Sequence, residues 1–229
     1  MSFSNIKHVF FDLDHTLWDF DKNSAFAFEA IFKIYNFDIS LSEFLEIYIP
    51  RNQHYWKLYQ LNQVSHQDLR YYRFKDVFDA LNFSISDEQI HQLSEDYIEH
   101  LPNHNHLFDG TFEILDYLKP KYQLHIITNG FSQVQGKKMV NSKIDHYFET
   151  ITNSEMAGKK KPHPQIFAHA LKTAKASKDE SIMIGDSLEA DIHGAINFGI
   201  KVVYFNEQNL NHNLEVPQIH HLLELKKIL

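Results

Sequence analysis

Two kinds of hydrophobic pattern share this chain. In its second half, short apolar runs stand apart from one another at residues 124–127, 148–152, 182–184 and 202–205, each the length of a buried strand. Between them, apolar positions recur at helical spacing over 132–142, 164–176 and 189–198, and Gly199 stands where a glycine commonly closes a helix. One more apolar run, over 6–11, opens the chain. Strands alternating with helices predict a parallel sheet covered on both faces, a Rossmann-like α/β core.

From about residue 20 to 100 the pattern changes. Phe26, Ala30 and Ile34, or Tyr55, Leu58 and Leu61, repeat at helical spacing with no strand between them. This block predicts roughly four helices inserted after the first strand, with Pro102 and Gly110 marking the return. The expected organisation is an α/β core over 1–17 and 104–229 and an all-helical cap domain over 18–103. An insertion that leaves right after Thr16 and Trp18 is expected to close over whatever pocket the first strand opens into, admitting a small molecule and refusing a polymer.

Composition narrows the function. The 229 residues carry a formal net charge of -8, which gives no general attraction for nucleic acid. Cysteine is absent, so disulfides and thiolate metal sites are excluded. No signal-peptide pattern opens the chain and no run approaches the ~18 apolar residues of a membrane span, so a cytoplasmic protein with no membrane partner is expected.

The candidate chemistry lies where the apolar runs stop. In "HVFFDLDHTLWDF" the first strand ends in Asp12 and Asp14, with Thr16 at the same spacing. Residues two apart on an extended chain point the same way, so both carboxylates are expected to face one pocket at the carboxyl edge of the sheet. Paired acids can divide the work, one bonding or binding metal and the other moving a proton. "IITNGF" puts Thr128 and Asn129 at the end of a second strand before a helix, a setting that suits phosphate. "GKKKPHPQIF" places Lys161 against Pro162, and "IMIGDSLEAD" ends another strand in Gly185 and Asp186 with Asp191 beyond. Asp186 with Asp12 offers hard oxygen ligands for Mg²⁺. Taken singly, each motif has an ordinary use as a turn, a helix cap or a solvated loop.

Taken together and in this order, the four motifs resemble the haloacid dehalogenase superfamily over nearly the whole chain, helical cap included. Dehalogenases of that family lack the second aspartate of the first motif and phosphatases keep it, so Asp14 implies a phosphohydrolase. "FFDLDHTLWDF", "TNGF" and "KP…IF…AL" look like its pyrimidine 5'-nucleotidase branch, which implies a nucleoside monophosphate as substrate. The resemblance further implies Asp12 as nucleophile, Asp14 as acid and base, Thr128, the Asn129 backbone and Lys161 on the phosphate, and Mg²⁺ on Asp12, the Asp14 backbone carbonyl and Asp186. Thr16 and Asp191 then support these groups, Asp191 by holding Lys161 or the metal shell. Sugar-phosphate, phosphoglycolate or flavin mononucleotide hydrolysis, phosphosugar mutation, and a non-catalytic scaffold are the alternatives. The intact acids and Lys161 argue against the last.

Overall fold

The computed structural model describes residues 3–229. The chain divides into two compact units, one comprising residues up to Phe20 together with Asn105–Leu229, the other Asp21–His104.

The first unit is built on six parallel strands: β1 (His8–Phe11), β2 (Gln123–Thr128), β3 (Phe148–Asn153), β4 (Ser181–Gly185), β5 (Lys201–Phe205) and β6 (Gln218–Ile219), in the spatial order β3-β2-β1-β4-β5-β6. β1 is central. The chain builds outward from it to β3 on one side, then crosses back to continue through β4. That reversal is where an open parallel sheet binds ligands. Registers align the strand ends: Phe11 lies opposite both Ile126 and Ile184. Asp12 therefore stands one residue beyond this line, and Thr128 and Asp186 two. The Asp12 amide still donates to the Ile184 carbonyl at 2.9 Å, so the backbone carrying Asp12 is fixed by the sheet.

The second unit holds four helices, α1 (Phe20–Tyr35, its first residue belonging to the other unit), α2 (Leu41–Gln60), α3 (His66–Ala80) and α4 (Asp87–His100). Reciprocal side-chain caps start α3 (Ser65 with Asp68) and α4 (Ser86 with Gln89), satisfying amide groups that the first helical turn leaves over. Its core is aromatic: the Phe28 ring lies 4.6 Å from those of Tyr48 and Tyr97 and 4.9 Å from Phe44. Each such ring buried contributes roughly 1.5–3 kcal/mol. Arg73 is buried among these rings, its guanidinium 5.0 Å from the centroids of Phe74 and Tyr97. Nη1 donates to Asn52, while Nε and Nη2 have no hydrogen-bond partner among the described residues. In the sequence, Tyr55, Trp56 and Tyr59 read as core or as a stacking surface. Tyr55 stacks on Tyr72 and donates to Asp76, and Trp56 meets Tyr59 edge-on.

The remaining helices, α5 (Thr111–Leu118), α6 (Ser132–Asn141), α7 (Ser154–Ala157), α8 (Pro164–Ala174) and α9 (Gly194–Phe198), belong to the sheet unit. Phe10, Ile127 and Met183 pack with Phe167, Ile192 and Ala195, closing one face of the sheet. The expected helix over 189–198 is a π-helical turn (Leu188–His193) followed by α9. β6, α5 and α7 had no counterpart among the expected elements. β6 has only two residues, too few to carry a period.

Candidate active site

Asp12 and Lys161 form the centre. Lys161 Nζ lies 2.5 Å from Asp12 Oδ1, 2.7 Å from Asp191 Oδ1 and 2.7 Å from the Ile127 carbonyl oxygen. Of the three lysines in a row it is Lys161 that turns inward, at 2% exposure, which a lysine tolerates only when paired. Burial acts to lower its pKa, but the Asp12 and Asp191 charges outweigh that and hold it above the ordinary lysine value. Asp12 Oδ2 has no hydrogen-bond partner among the described residues.

Asp186 completes an acidic group. One oxygen from each of Asp12, Asp186 and Asp191 lies within 4.8 Å of the other two. Thr16 fixes the loop: its Oγ1 donates to Asp186 Oδ1 and accepts from the Asp186 amide, both at 3.1 Å. Asp191 is fully buried, and its Oδ2 accepts from the Ser187 amide at 3.1 Å. Residue 185 must be glycine, since a Cβ there would stand 2.3 Å from Asp191 Oδ2. Burial, then the Asp191 charge, push the Asp186 carboxyl up to about 7. Burial likewise lifts Asp12 well above the usual carboxylate range, Asp191 and Asp186 adding to it and Lys161 opposing. One lysine leaves this trio short of positive charge. Three hard oxygen donors with excess negative charge and no sulfur fit a divalent cation such as Mg²⁺. Among the described residues no other cluster of His, Asp or Glu has that geometry, the histidines at 100, 104 and 106 included.

Asp14 takes different partners. Beyond Asp12 the chain leaves the sheet in a turn, with His15 at φ 61° and the Leu17 and Trp18 amides both donating to the Leu13 carbonyl. Asp14 Oδ1 accepts from Lys138 Nζ at 2.6 Å and Oδ2 from Gln135 Nε2 at 2.9 Å. Gln135 Nε2 also lies 2.7 Å from Thr128 Oγ1, which in turn accepts from the Gly130 amide at 3.0 Å. The Asn129 side chain holds the backbone of Lys161: Oδ1 accepts from the Lys161 amide and Nδ2 donates to the Lys161 carbonyl.

Gln135 and Lys138 escaped the sequence reading. Both lie on α6, 1% and 2% exposed, whereas Val140 of the same helix is 58% exposed. Polarity finds Val134 and Met139 on the buried face of α6 and misses Gln135 and Lys138 beside them. The available signal was a glutamine and a lysine three residues apart, one turn after Thr128, which places them on one helix face.

A family model described as haloacid dehalogenase-like hydrolase matches residues 9–205. The chain belongs to that family, and it is a phosphatase within it. It is 31% identical to a pyrimidine 5'-nucleotidase of Streptococcus pneumoniae, over 92% of this chain and 89% of the relative. It is 33% identical to a glyceraldehyde 3-phosphate phosphatase of Pyrococcus abyssi, over 87% and 81%. Among solved structures, a HAD-family hydrolase of Bacillus subtilis crystallised bound to magnesium superposes with a TM-score of 0.88 at 26% identity, covering 98% of both chains. No helix among the described residues is long and apolar enough to cross a membrane.

Proposed function

We propose that this phosphatase hydrolyses nucleoside 5'-monophosphates, pyrimidine ones ahead of purine ones, through an aspartyl-phosphate on Asp12. The observation that carries the chemistry is the Asp12–Lys161 pair at 2.5 Å, at the end of the central strand, with Asp12 Oδ2 left open. Oδ2 attacks phosphorus, a new P–O bond forms, and the ester oxygen leaves with a proton from Asp14. Water then attacks the aspartyl-phosphate and gives a proton back to Asp14. The P–O bond to Asp12 breaks, and inorganic phosphate departs. Lys161 offsets charge on the carboxylate and the phosphoryl group, while Thr128 and the Asn129 backbone bind its oxygens. Asp12, Asp186 and the Asp14 backbone carbonyl would hold Mg²⁺, with Asp191 behind them, and the ion would supply positive charge facing the phosphate.

The nucleotide part rests on likeness to the streptococcal nucleotidase, and the archaeal sugar-phosphate phosphatase supports a second reading with the same chemistry. Comparing kcat/KM for dUMP, dTMP, AMP, glyceraldehyde 3-phosphate, phosphoglycolate and flavin mononucleotide decides between them. A pyrimidine monophosphate should lead. A tenfold lead for a sugar phosphate or phosphoglycolate would overturn the nucleotidase reading and leave the phosphatase chemistry standing.

A further inference from the structure

Lys138 is a buried cation set against one carboxylate and two rings. Its Nζ stands 2.6 Å from Asp14 Oδ1, 4.2 Å from the centroid of the Trp18 ring and 5.1 Å from that of Phe20. Trp18 is itself pinned, its indole N–H donating to Ser142 Oγ at 3.2 Å. The ammonium therefore sits in a fixed place on the rings, and Asp14 is drawn to it. Gln135 grips the other oxygen of the same carboxylate from the preceding turn of α6, and the same amide nitrogen reaches Thr128. Room for that reach exists only because residue 130 is glycine: a Cβ there would stand 2.2 Å from Gln135 Nε2.

Both oxygens of Asp14 are thus held from one helix. A carboxylate on a turn, one bond system beyond the sheet, would otherwise rotate freely about its side-chain torsions, and a proton donor or acceptor acts only when it is within hydrogen-bond reach of the reacting oxygen. Burying a lysine and a glutamine costs free energy that neither residue recovers by packing. Their placement makes sense as a fixture for the group they hold.

We propose that Gln135 and Lys138 are positioning residues for Asp14, fixing the direction of its carboxylate, and that Gln135 ties this direction to the phosphate-binding hydroxyl of Thr128. The inference rests on the reading of Asp14 as the group that passes a proton to the leaving oxygen. Neither residue touches substrate in this account. Their effect is to reduce the share of time Asp14 spends misdirected.

The test exploits leaving groups. An alkoxide leaving from a nucleoside monophosphate needs the proton, whereas p-nitrophenolate leaves from p-nitrophenyl phosphate without one. Lys138→Met and Gln135→Leu should each lower kcat/KM, which reports only the steps up to departure of the leaving group, by about 10–100-fold for dUMP and by less than threefold for p-nitrophenyl phosphate. Lys138→Arg, which keeps a cation on the rings, should restore at least a third of the wild-type rate on dUMP. Thermal denaturation of each variant checks that it folds. Asp14→Asn is measured beside them on both substrates. If Asp14→Asn lowers kcat/KM equally for both substrates, the reading of Asp14 as the proton donor to the leaving oxygen itself falls. If Asp14→Asn discriminates between the substrates and the α6 variants lose both equally, or lose neither, the positioning role falls alone. Should Lys138→Met not fold, Lys138→Arg and Gln135→Leu still decide the matter by the same ratio.

Discussion

Asn129 and Lys161 exchange two hydrogen bonds, Lys161 N–H to Asn129 Oδ1 at 2.7 Å and Asn129 Nδ2–H to the Lys161 carbonyl at 3.0 Å. The residue that follows Thr128 thereby fixes the backbone from which Lys161 reaches Asp12. Asn129→Ala removes both bonds. It should cost about 1–3 kcal/mol in stability and at least tenfold in kcat, read by urea denaturation and steady-state kinetics. An unaltered kcat would mean that Lys161 finds Asp12 without this tether.

Replacing the nucleophile is a harsher test. Asp12→Asn keeps an oxygen for Lys161 but cannot form the acyl-phosphate, so turnover should fall by on the order of a thousandfold or more while the cooperative unfolding transition persists. Activity within about tenfold of wild type would refute the covalent route.

Removal of metal should silence the enzyme. Chelator is expected to abolish turnover and added Mg²⁺ to restore it, with Ca²⁺ a poor substitute because its larger, looser shell misplaces the phosphate. A second readout needs no substrate: Mg²⁺ at about 100 times its Kd should stabilise the fold by about 2.7 kcal/mol, and Asp186→Ala should erase most of that gain. Full activity in excess chelator contradicts the assignment.

Within the sheet, His125 gives the fold a pH dependence. His125 is fully buried on β2, its Nε2 3.1 Å from His8 Nδ1 and its Nδ1 2.9 Å from Thr150 Oγ1, with Phe10 stacked on the ring. Burial, then the neighbouring His8, push its pKa down to about 4. The unfolded chain binds a proton at this residue from about pH 6.5 downward and the folded chain resists doing so. The His125 contribution to stability is therefore full above about pH 6.5 and is lost as pH drops toward 4, about 3 kcal/mol in all. Urea titrations at pH 7, 5.5 and 4.5 should show a slope that His125→Gln flattens. Parallel profiles for the two proteins would exclude His125 as the cause.

Arg73 offers the opposite sign. Two of its donors are unpaired inside an aromatic core, and the ring contacts offset only part of that cost. Arg73→Met should leave stability unchanged or raise it by about 1–2 kcal/mol, measured by denaturation. A loss of more than 2 kcal/mol would show the guanidinium to be a net stabiliser.

What the sequence makes legible, and what it hides, follows from where each residue sits. Asp12, Thr128 and Asp186 are visible because each stands at the abrupt stop of an apolar run, and parallel strands in register bring such stops to one edge. Lys161 is visible by its adjacency to Pro162 and by family likeness, since polarity alone would have left all three lysines in solvent. Gln135, Lys138 and Arg73 are hidden because a buried polar residue breaks the rule that locates a core, and only its partner, far away in the chain, explains it. The partners of Asp14 are hidden for the same reason, since Gln135 and Lys138 lie on a helix more than 120 residues further along the chain and nothing at the end of β1 points to them.

The central position of β1 also bears on how the molecule is made. His8 pairs with Gln123 on one side and Ser181 on the other, so the strand that leads into Asp12 leaves the ribosome long before either neighbour exists. At a synthesis rate of about 5–20 residues per second, the roughly 170 residues up to Ser181 take ~9–35 s. Until β2 is made the nascent chain carries an apolar strand without a neighbour, and until β4 is made one side of β1 stays open, whereas all of α1 to α4 has been synthesised before β2 begins. Birth order thus sets the helices first and the catalytic edge last.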